Sequence, residues 1–520
     1  MNLTSPSKRL CANLFENIII FPKDNLFFEE NMSGLEQYFD KYRKNIIGIN
    51  QYFNSPYGEK KIIYADWIAS GRLYSNIEKK ISNMFGPYVG NTHTETSITG
   101  TTMTHAYHQA QKIIKNHVNA GTDDVIITAG FGMTAVVNKF QRILGIKLND
   151  NCLTCMNILE EDKPVVFVTH MEHHSNHTSW LETIADVIVI EPTAKGLVDY
   201  DKLPEMLKNY SKRKLKIGAF SACSNVTGIQ TDYHKLASIM HEHGGLCFID
   251  FAASAPYVNI DMHPTDPLAK LDAIYFSPHK FLGGPGASGV IIFDKHLYKR
   301  NVPDHPGGGT VNWTNPWGGH SYIEDIEARE DGGTPGFLQA IRAALAVKLK
   351  EEMGVENILH REEELLQKFF TRFREIKKVH LLATEIEDRL GILSFYIEDL
   401  HYNLVVKLLN DKFGIQVRGG CSCAGTYGHY LMHVDPTRSA KITDLIQKGD
   451  LSEKPGWIRF SLHPTMTDKE LDFCLDAIDE TVKNGKEWSK DYKYSSSTNE
   501  FAHLNNKEEY INIPSWFEID

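Results

Sequence analysis

The stretch AIYFSPHKFLGGPGASGVIIF, residues 273–293, places two short apolar runs on either side of a glycine-rich turn, with Lys280 at the entrance to that turn. Residues 273–276 and 289–293 have the length of buried strands. Their closeness in sequence allows a hairpin with one antiparallel strand. A loop lysine is ordinarily a solvated one, so the rest of the chain decides whether Lys280 differs. Runs of the same kind recur at 125–128, 165–169, 187–190, 217–221 and 246–250, most of them separated by stretches of helical length such as 232–243. Unbroken apolar strands alternating with helices predict an α/β fold, with a mostly parallel seven-stranded sheet flanked by helices.

Beyond 335 the pattern changes. Residues 337–353 and 358–376 read as helices, 390–397 as a strand, 402–413 as a helix and 416–418 as a strand, which predicts a smaller α+β C-terminal domain. The expected organisation is an N-terminal extension over 1–60, with an amphipathic stretch at 35–42, a large domain over 61–335, a small domain over 336–488 and a loosely docked polar tail over 489–520. The 520 residues carry 55 Lys and Arg against 66 Asp and Glu, a net charge of −11. Without a basic surface, nucleic acid is a poor partner. No apolar run approaches the ~20 residues that span a bilayer. Lys8 and Arg9 adjoin no apolar segment of signal length, and the run at 17–21 is too short, so the expectation is a soluble cytoplasmic protein with no membrane partner. Eight cysteines in such a chain make no disulfide framework. Two close pairs stand out, Cys152/Cys155 and Cys421/Cys423; the first, with no second pair to complete a metal site, reads as a surface feature.

Ligands of parallel α/β sheets bind beyond the carboxyl ends of the strands. After the first run comes a glycine-containing turn, 129–134, suited to an anion at a helix N-terminus. The second is followed by Glu172, His173 and His174, the fourth by Asn225. The fifth ends in Asp250, a carboxylate costly to bury without a partner, and the sixth leads to Lys280. Pyridoxal phosphate uses such a set together: a lysine for its Schiff base, a carboxylate for the pyridine nitrogen, a flat group over the ring, a donor to the phenolic oxygen and ligands for the phosphate.

In the segments 172–176, 224–228, 249–254, 277–280, 333–335, 417–424 and 457–461, within matches running from about 62 to about 485, the chain resembles the class V aminotransferase family of pyridoxal-phosphate fold type I. Within it, the cysteine desulfurase and selenocysteine lyase branch is the most similar. The resemblance implies roles. Lys280 would form the Schiff base and shuttle the proton, and Asp250 would pair with the pyridine nitrogen. His173 would stack on the ring, with His174 as the nearby alternative, and Asn225 would bond the phenolic oxygen. Ser277, His279, Gly132 and Thr134 would hold the phosphate. Thr334 would reach the phosphate of a neighbouring subunit, implying a homodimer with shared active sites, and Arg459 would bind the carboxylate of an amino-acid substrate.

The resemblance places Cys423 where desulfurases carry the thiolate that attacks substrate sulfur. Cys421, two residues away, would share its face if the segment were a strand, and so could serve instead or resolve a persulfide. A sulfur-acceptor protein is then an expected partner. Zinc on Cys421, Cys423, His429 and His433 is the metal alternative, and no metal is expected. The sequence departs from the desulfurase pattern in three places: Ala253 stands where glutamine is usual, Phe131-Gly132 where threonines are common, and 425–456 is a long insertion that would cover the site or make room for a larger substrate. Rival chemistries on the same cofactor are transamination, β-elimination and epimerisation, and a scaffold with a dead site is the non-enzymatic alternative.

Overall fold

The computed structural model describes residues 34–153, 158–505 and 511–519; Lys8, Arg9, the 17–21 run and Cys155 lie outside them. The seven apolar runs form seven strands: β1 (Asp124–Ala129), β2 (Val165–Thr169), β3 (Asp186–Ile190), β4 (Lys216–Ser221), β5 (Leu246–Asp250), β6 (Ala273–Phe276) and β7 (Gly289–Asp294). They lie in one sheet in the order β1-β7-β6-β5-β4-β2-β3. β2 to β6 pair in parallel, and β7 runs antiparallel to both β6 and β1. Every residue of β2 and β4 is buried, as a sheet covered on both faces requires. Successive side chains feed two different cores. Ile126, Phe167, Ile249 and Ile274 pack with Ala110 and Ile114 of α2 (Ile98–His117) and Leu236 and Met240 of α5 (Tyr233–Glu242). Ile127, Val166, Phe248 and Tyr275 pack with Val136, Val137 and Phe140 of α3 (Met133–Ile143) and with Trp180.

The smaller sheet has the antiparallel order β8-β9-β11-β10, from β8 (Val379–Leu381), β9 (Ile392–Ile397), β10 (Arg418–Gly420) and β11 (Trp457–Ser461). Its core joins Phe395 and Phe460 to Leu365, Phe369 and Phe373 of α7 (Val355–Phe373), Val405 of α8 (Tyr402–Phe413) and Leu475 of α11 (Asp468–Trp488). The capping box of Thr467 with Glu470 starts α11.

The structure departs from the sequence reading in four places. Helix α6 (Phe337–Met353), read as the start of the small domain, packs its Ala343, Ala346 and Val347 into the large-domain core. Ile63 and Ala65, read as the start of the large domain, belong to the small-domain core, and the strand Ile63–Tyr64 pairs in parallel with Ile415–Gln416. The single strand read at 416–418 is therefore two, each with a different partner. The first part of the tail, 489–503, is not loosely docked: Tyr492–Ser495 and Glu500–His503 form a hairpin on α8, held by Tyr492 Oη to Asp411 (3.0 Å) and Asn499 Nδ2 to the Tyr402 hydroxyl (2.6 Å). Its tyrosines and Phe501 supply apolar surface that its serine-rich turn conceals in composition. Among the described residues no helix is long and apolar enough to cross a membrane.

The link from 63 to 72 is clamped by an aromatic stack, with the Trp67 and His463 rings 3.8 Å apart at 14°. His463 Nδ1 accepts from Thr465 N at 3.3 Å, and burial pushes the imidazole down to about 3. The unfolded chain takes up a proton below roughly pH 6.5 that the folded chain refuses. Stability is therefore full above that pH and is lost toward the folded value, at about 1.4 kcal/mol per pH unit. His170, lowered to about 4 by burial, adds to the trend. Urea titrations from pH 7 to pH 4 should show this slope, and His463→Gln should flatten it by close to one proton; an unchanged slope would rule out His463 as a source.

Candidate active site

The site begins with the strand ends. Glu172 follows β2 and is fully buried, yet it accepts from Thr169 N and Oγ1 (3.2 and 2.7 Å), Asn176 Nδ2 (2.7 Å), and Ser221 N and Oγ (3.0 and 2.6 Å). It thus ties the end of β2 to the end of β4 and to α4 (His174–Leu181). Burial pushes its carboxyl up, and the hydrogen bonds from Ser221, Thr169 and Asn176 act against that. Glu172→Ala would leave these donors without partners. We expect about 3–5 kcal/mol of destabilisation, read as an earlier urea midpoint, and a change under 1 kcal/mol would show that Glu172 is not a structural tie.

His173 caps α4, its Nδ1 accepting from Ser175 N at 3.1 Å. Burial, then the charge of Lys280, pushes its imidazole down to about 3, so the ring is neutral and flat at working pH. Across the same cavity lie Asp250 and Lys280. Burial raises the Asp250 carboxyl, which accepts from Ala252 N at 2.8 Å, and burial lowers the Lys280 ammonium; the two charges oppose these shifts. The cavity is about 200 Å³ and is lined also by Ile68, Ala69, Gly132, Thr134, Asn225, Ser277, His279, Ser422 and Arg459.

At one end, Gly132 opens α3. Ser277 Oγ accepts from Met133 N (2.9 Å) and so keeps its own proton to donate. His279 Nδ1 meets the Phe131 carbonyl (2.8 Å), and Thr134 Oγ1 lies 2.6 Å from Ser175 Oγ. A Cβ on Gly132 would stand 3.0 Å from His279 Cε1 and 3.2 Å from Ser277 Oγ. The cradle is therefore open only because residue 132 has no side chain, and its donors suit a phosphate. At the other end, Arg459 is buried, its Nη2 2.7 Å from Asp66 Oδ1 and its Nη1 3.2 Å from Asn225 O. Asn225 Nδ2 donates to Ser422 O (2.7 Å). Asn225 Oδ1, Ser422 Oγ and Arg459 Nε are buried without partners. Orphaned polar atoms beside a phosphate-sized cradle, a flat neutral ring, a buried carboxylate and a lysine fit pyridoxal phosphate.

Of the residues expected from the sequence, Lys280, Asp250, His173, Asn225, Ser277, His279, Gly132, Thr134 and Arg459 all line this one cavity. His174 does not: its Nε2 accepts from Gly425 N (2.8 Å). Thr334 is exposed, outside the cavity of its own chain. Cys421 and Cys423 do not share a strand face, because β10 ends at Gly420 and Ser422 and Cys423 take left-handed φ values of 52° and 58°. Cys423 is close enough to Arg459 for its charge to act on the guanidinium, whereas Cys421 lies near Tyr402. The insertion forms α9 (Gly425–Leu431) and α10 (Pro436–Gln447), and none of its residues lines the cavity. Tyr427 and Tyr430 dock it on Thr227 (3.2 Å) and Glu191 (2.8 Å). His429 turns its nitrogens to Gly425 O and Ser439 Oγ, and among the described residues no cluster of three or more His, Cys, Asp and Glu is placed to hold a metal ion. The sequence reading gave no role to Asp66, Arg418 or Glu172. Arg418 pairs in register with Arg459 and also lines the cavity.

This architecture is shared with solved cysteine desulfurases. One from Thermococcus onnurineus NA1, in its apo form, superimposes with a TM-score of 0.67 at 21% identity, covering 85% of this chain and 98% of that one. The cysteine desulfurase CsdA of Escherichia coli gives 0.65 at 19%, covering 86% and 98%. The fold is that of the pyridoxal-phosphate fold type I enzymes. Residues 63–473 match the family of class-V aminotransferases, and the chain belongs to that family. A probable cysteine desulfurase of Halalkalibacterium halodurans is 28% identical over 368 residues, 70% of this chain and 84% of the relative. One of Staphylococcus epidermidis is 28% identical over 370 residues, with the same coverage.

Proposed function

We propose that this protein is a pyridoxal-phosphate enzyme that takes sulfur from L-cysteine or selenium from selenocysteine, leaving alanine. The observation that carries this reading is the position of the cysteine turn: Ser422 lines the cavity and Cys423 lies within electrostatic reach of Arg459. Arg459, whose Nη2 donates to Asp66 in the free protein, donates to the substrate carboxylate. Lys280, its amine pushed toward neutrality by burial, takes the α-proton and returns it. Asp250 keeps a proton on the atom it faces, and neutral His173 packs flat above. Bound here, pyridoxal phosphate would supply the electron sink for the pair left at the α-carbon. The Cys423 thiolate attacks the substrate sulfur; the S–S bond forms as the Cβ–S bond breaks, the pair returns to carbon and is protonated, and a persulfide remains on Cys423. A sulfur-acceptor protein then removes it.

A homodimer suits the same reading. Phe131 at the lip of the cavity is 77% exposed and Trp317 is 89% exposed. Trp317 belongs to a projection whose base is bonded to the Thr334 segment, Gly333 N to Gly308 O at 2.9 Å. A second copy would cover this apolar surface and bring Thr334 to its neighbour's cradle. The test is the holoenzyme with L-cysteine, assayed for alanine, sulfide and keto acid. Alanine with stoichiometric persulfide supports the reading, whereas pyruvate or another keto acid without persulfide replaces it with lyase or transaminase chemistry.

A further inference from the structure

His174 stands next to the ring-stacking His173 but faces away from the cavity, toward the cysteine turn. Its backbone N–H donates to Cys423 O at 2.7 Å, and its ring Nε2 accepts from Gly425 N at 2.8 Å. One residue thus grips the peptide groups on both sides of Ala424, the first of them the Cys423 carbonyl. A turn later on α4, His177 Nδ1 meets Thr426 Oγ1 at 3.2 Å. The fit is close: a Cβ on Gly425 would lie 3.0 Å from His174 Nε2. The turn needs such a grip. Ser422 and Cys423 both hold left-handed conformations, which cost a non-glycine residue about 1 kcal/mol or more each and persist only where surroundings enforce them. A further tie is Asn225 Nδ2 to Ser422 O at 2.7 Å. Because β10 ends at Gly420, the small-domain sheet does not fix the thiol.

We infer that His174 is a positioning residue for Cys423, holding the thiol-bearing turn against the large domain through its backbone N–H and its unprotonated Nε2. This rests on the reading of Cys423 as the nucleophile. The first turn of α4 then sets both the ring that packs over the cofactor and the distance of the thiol from it, so reacting atoms on two domains are registered by adjacent residues. Burial keeps the imidazole below its ordinary value, in line with an acceptor nitrogen.

The test uses the holoenzyme carrying His174→Ala or His174→Gln, with Cys423→Ala as reference. Glutamine can place Oε1 where Nε2 accepts, so it separates the hydrogen bond from other properties of the ring. Two quantities are read: the rate at which iodoacetamide alkylates Cys423, located by peptide mass, and the single-turnover rate of alanine formation. His174→Ala should raise the alkylation rate several-fold and lower alanine formation by up to about 10²-fold, with KM for cysteine little changed. His174→Gln should restore most of both. If His174→Ala leaves both rates as in the wild type, or if glutamine fails to rescue in a variant whose unfolding midpoint is unchanged, the inference is overturned. If Cys423→Ala still forms alanine at the full rate, it is the desulfurase reading that fails, while the alkylation rates still judge the grip by themselves.

Discussion

Lys280→Ala should give a folded protein that binds pyridoxal phosphate without the visible Schiff-base band and forms alanine from L-cysteine on the order of 10⁴-fold more slowly, or not at all. The size of the effect follows from how the lysine is held. Lys280 closes a single turn after β6, its N–H donating to Ser277 O at 3.0 Å. Glycines press backbone against that turn: a Cβ on Gly284 would fall 1.8 Å from Pro278 O, and one on Gly71 1.9 Å from Phe281 O. Gly71 N also donates to His279 O at 2.9 Å. The amine therefore leaves a rigid base, near a buried carboxylate and with its charged form disfavoured by burial, which is what imine formation and proton transfer both need. Arginine would keep the charge and lose both functions, so Lys280→Arg should be as inactive as Lys280→Ala. Turnover above a tenth of wild type in either variant would remove Lys280 from the chemistry.

The lysine turn was legible in the sequence because its neighbours are local. Strand, Ser277, His279, Lys280 and glycines occupy one stretch of chain, and buried parallel strands announce themselves as unbroken apolar runs. The same holds for His173, Asn225 and Asp250, each placed at or just beyond the end of a strand. What stayed hidden depends on pairings between distant segments. Asp66 meets Arg459 at 2.7 Å across a separation of 393 residues, and a lone aspartate in a mixed segment carries no periodic signal. Residues 416–418 look like one strand because Gln416 and Arg418 both suit one; only the arrival of Ile63–Tyr64 on one side and β11 on the other divides them. The change of composition near 335 does not mark the domain boundary. The chain instead threads Ile63 and Ala65 into the small core and α6 into the large one.

The cysteine pair shows the same limit and leads to the second large effect. Cys423→Ala should reduce alanine formation from L-cysteine by on the order of 10³-fold or more and abolish the persulfide, while Cys421→Ala stays within about threefold of wild type and Cys421→Ala/Cys423→Ala matches Cys423→Ala. Spacing alone puts the two thiols on a common face, which would make them interchangeable. The left-handed Ser422 and Cys423 remove that equivalence. Cys421 is half-buried against the large-domain core and near Tyr402. Cys423 lies near the buried Arg459 guanidinium. Competition between iodoacetamide and substrate tests that placement: without substrate, alkylation should fall on Cys423 first, and a saturating carboxylate analogue bound at Arg459 should block access and slow it. Faster labelling of Cys421 with the larger loss from Cys421→Ala would assign the attacking sulfur to Cys421 and require the turn to open during the reaction, and equal losses from the two single substitutions would make both thiols necessary.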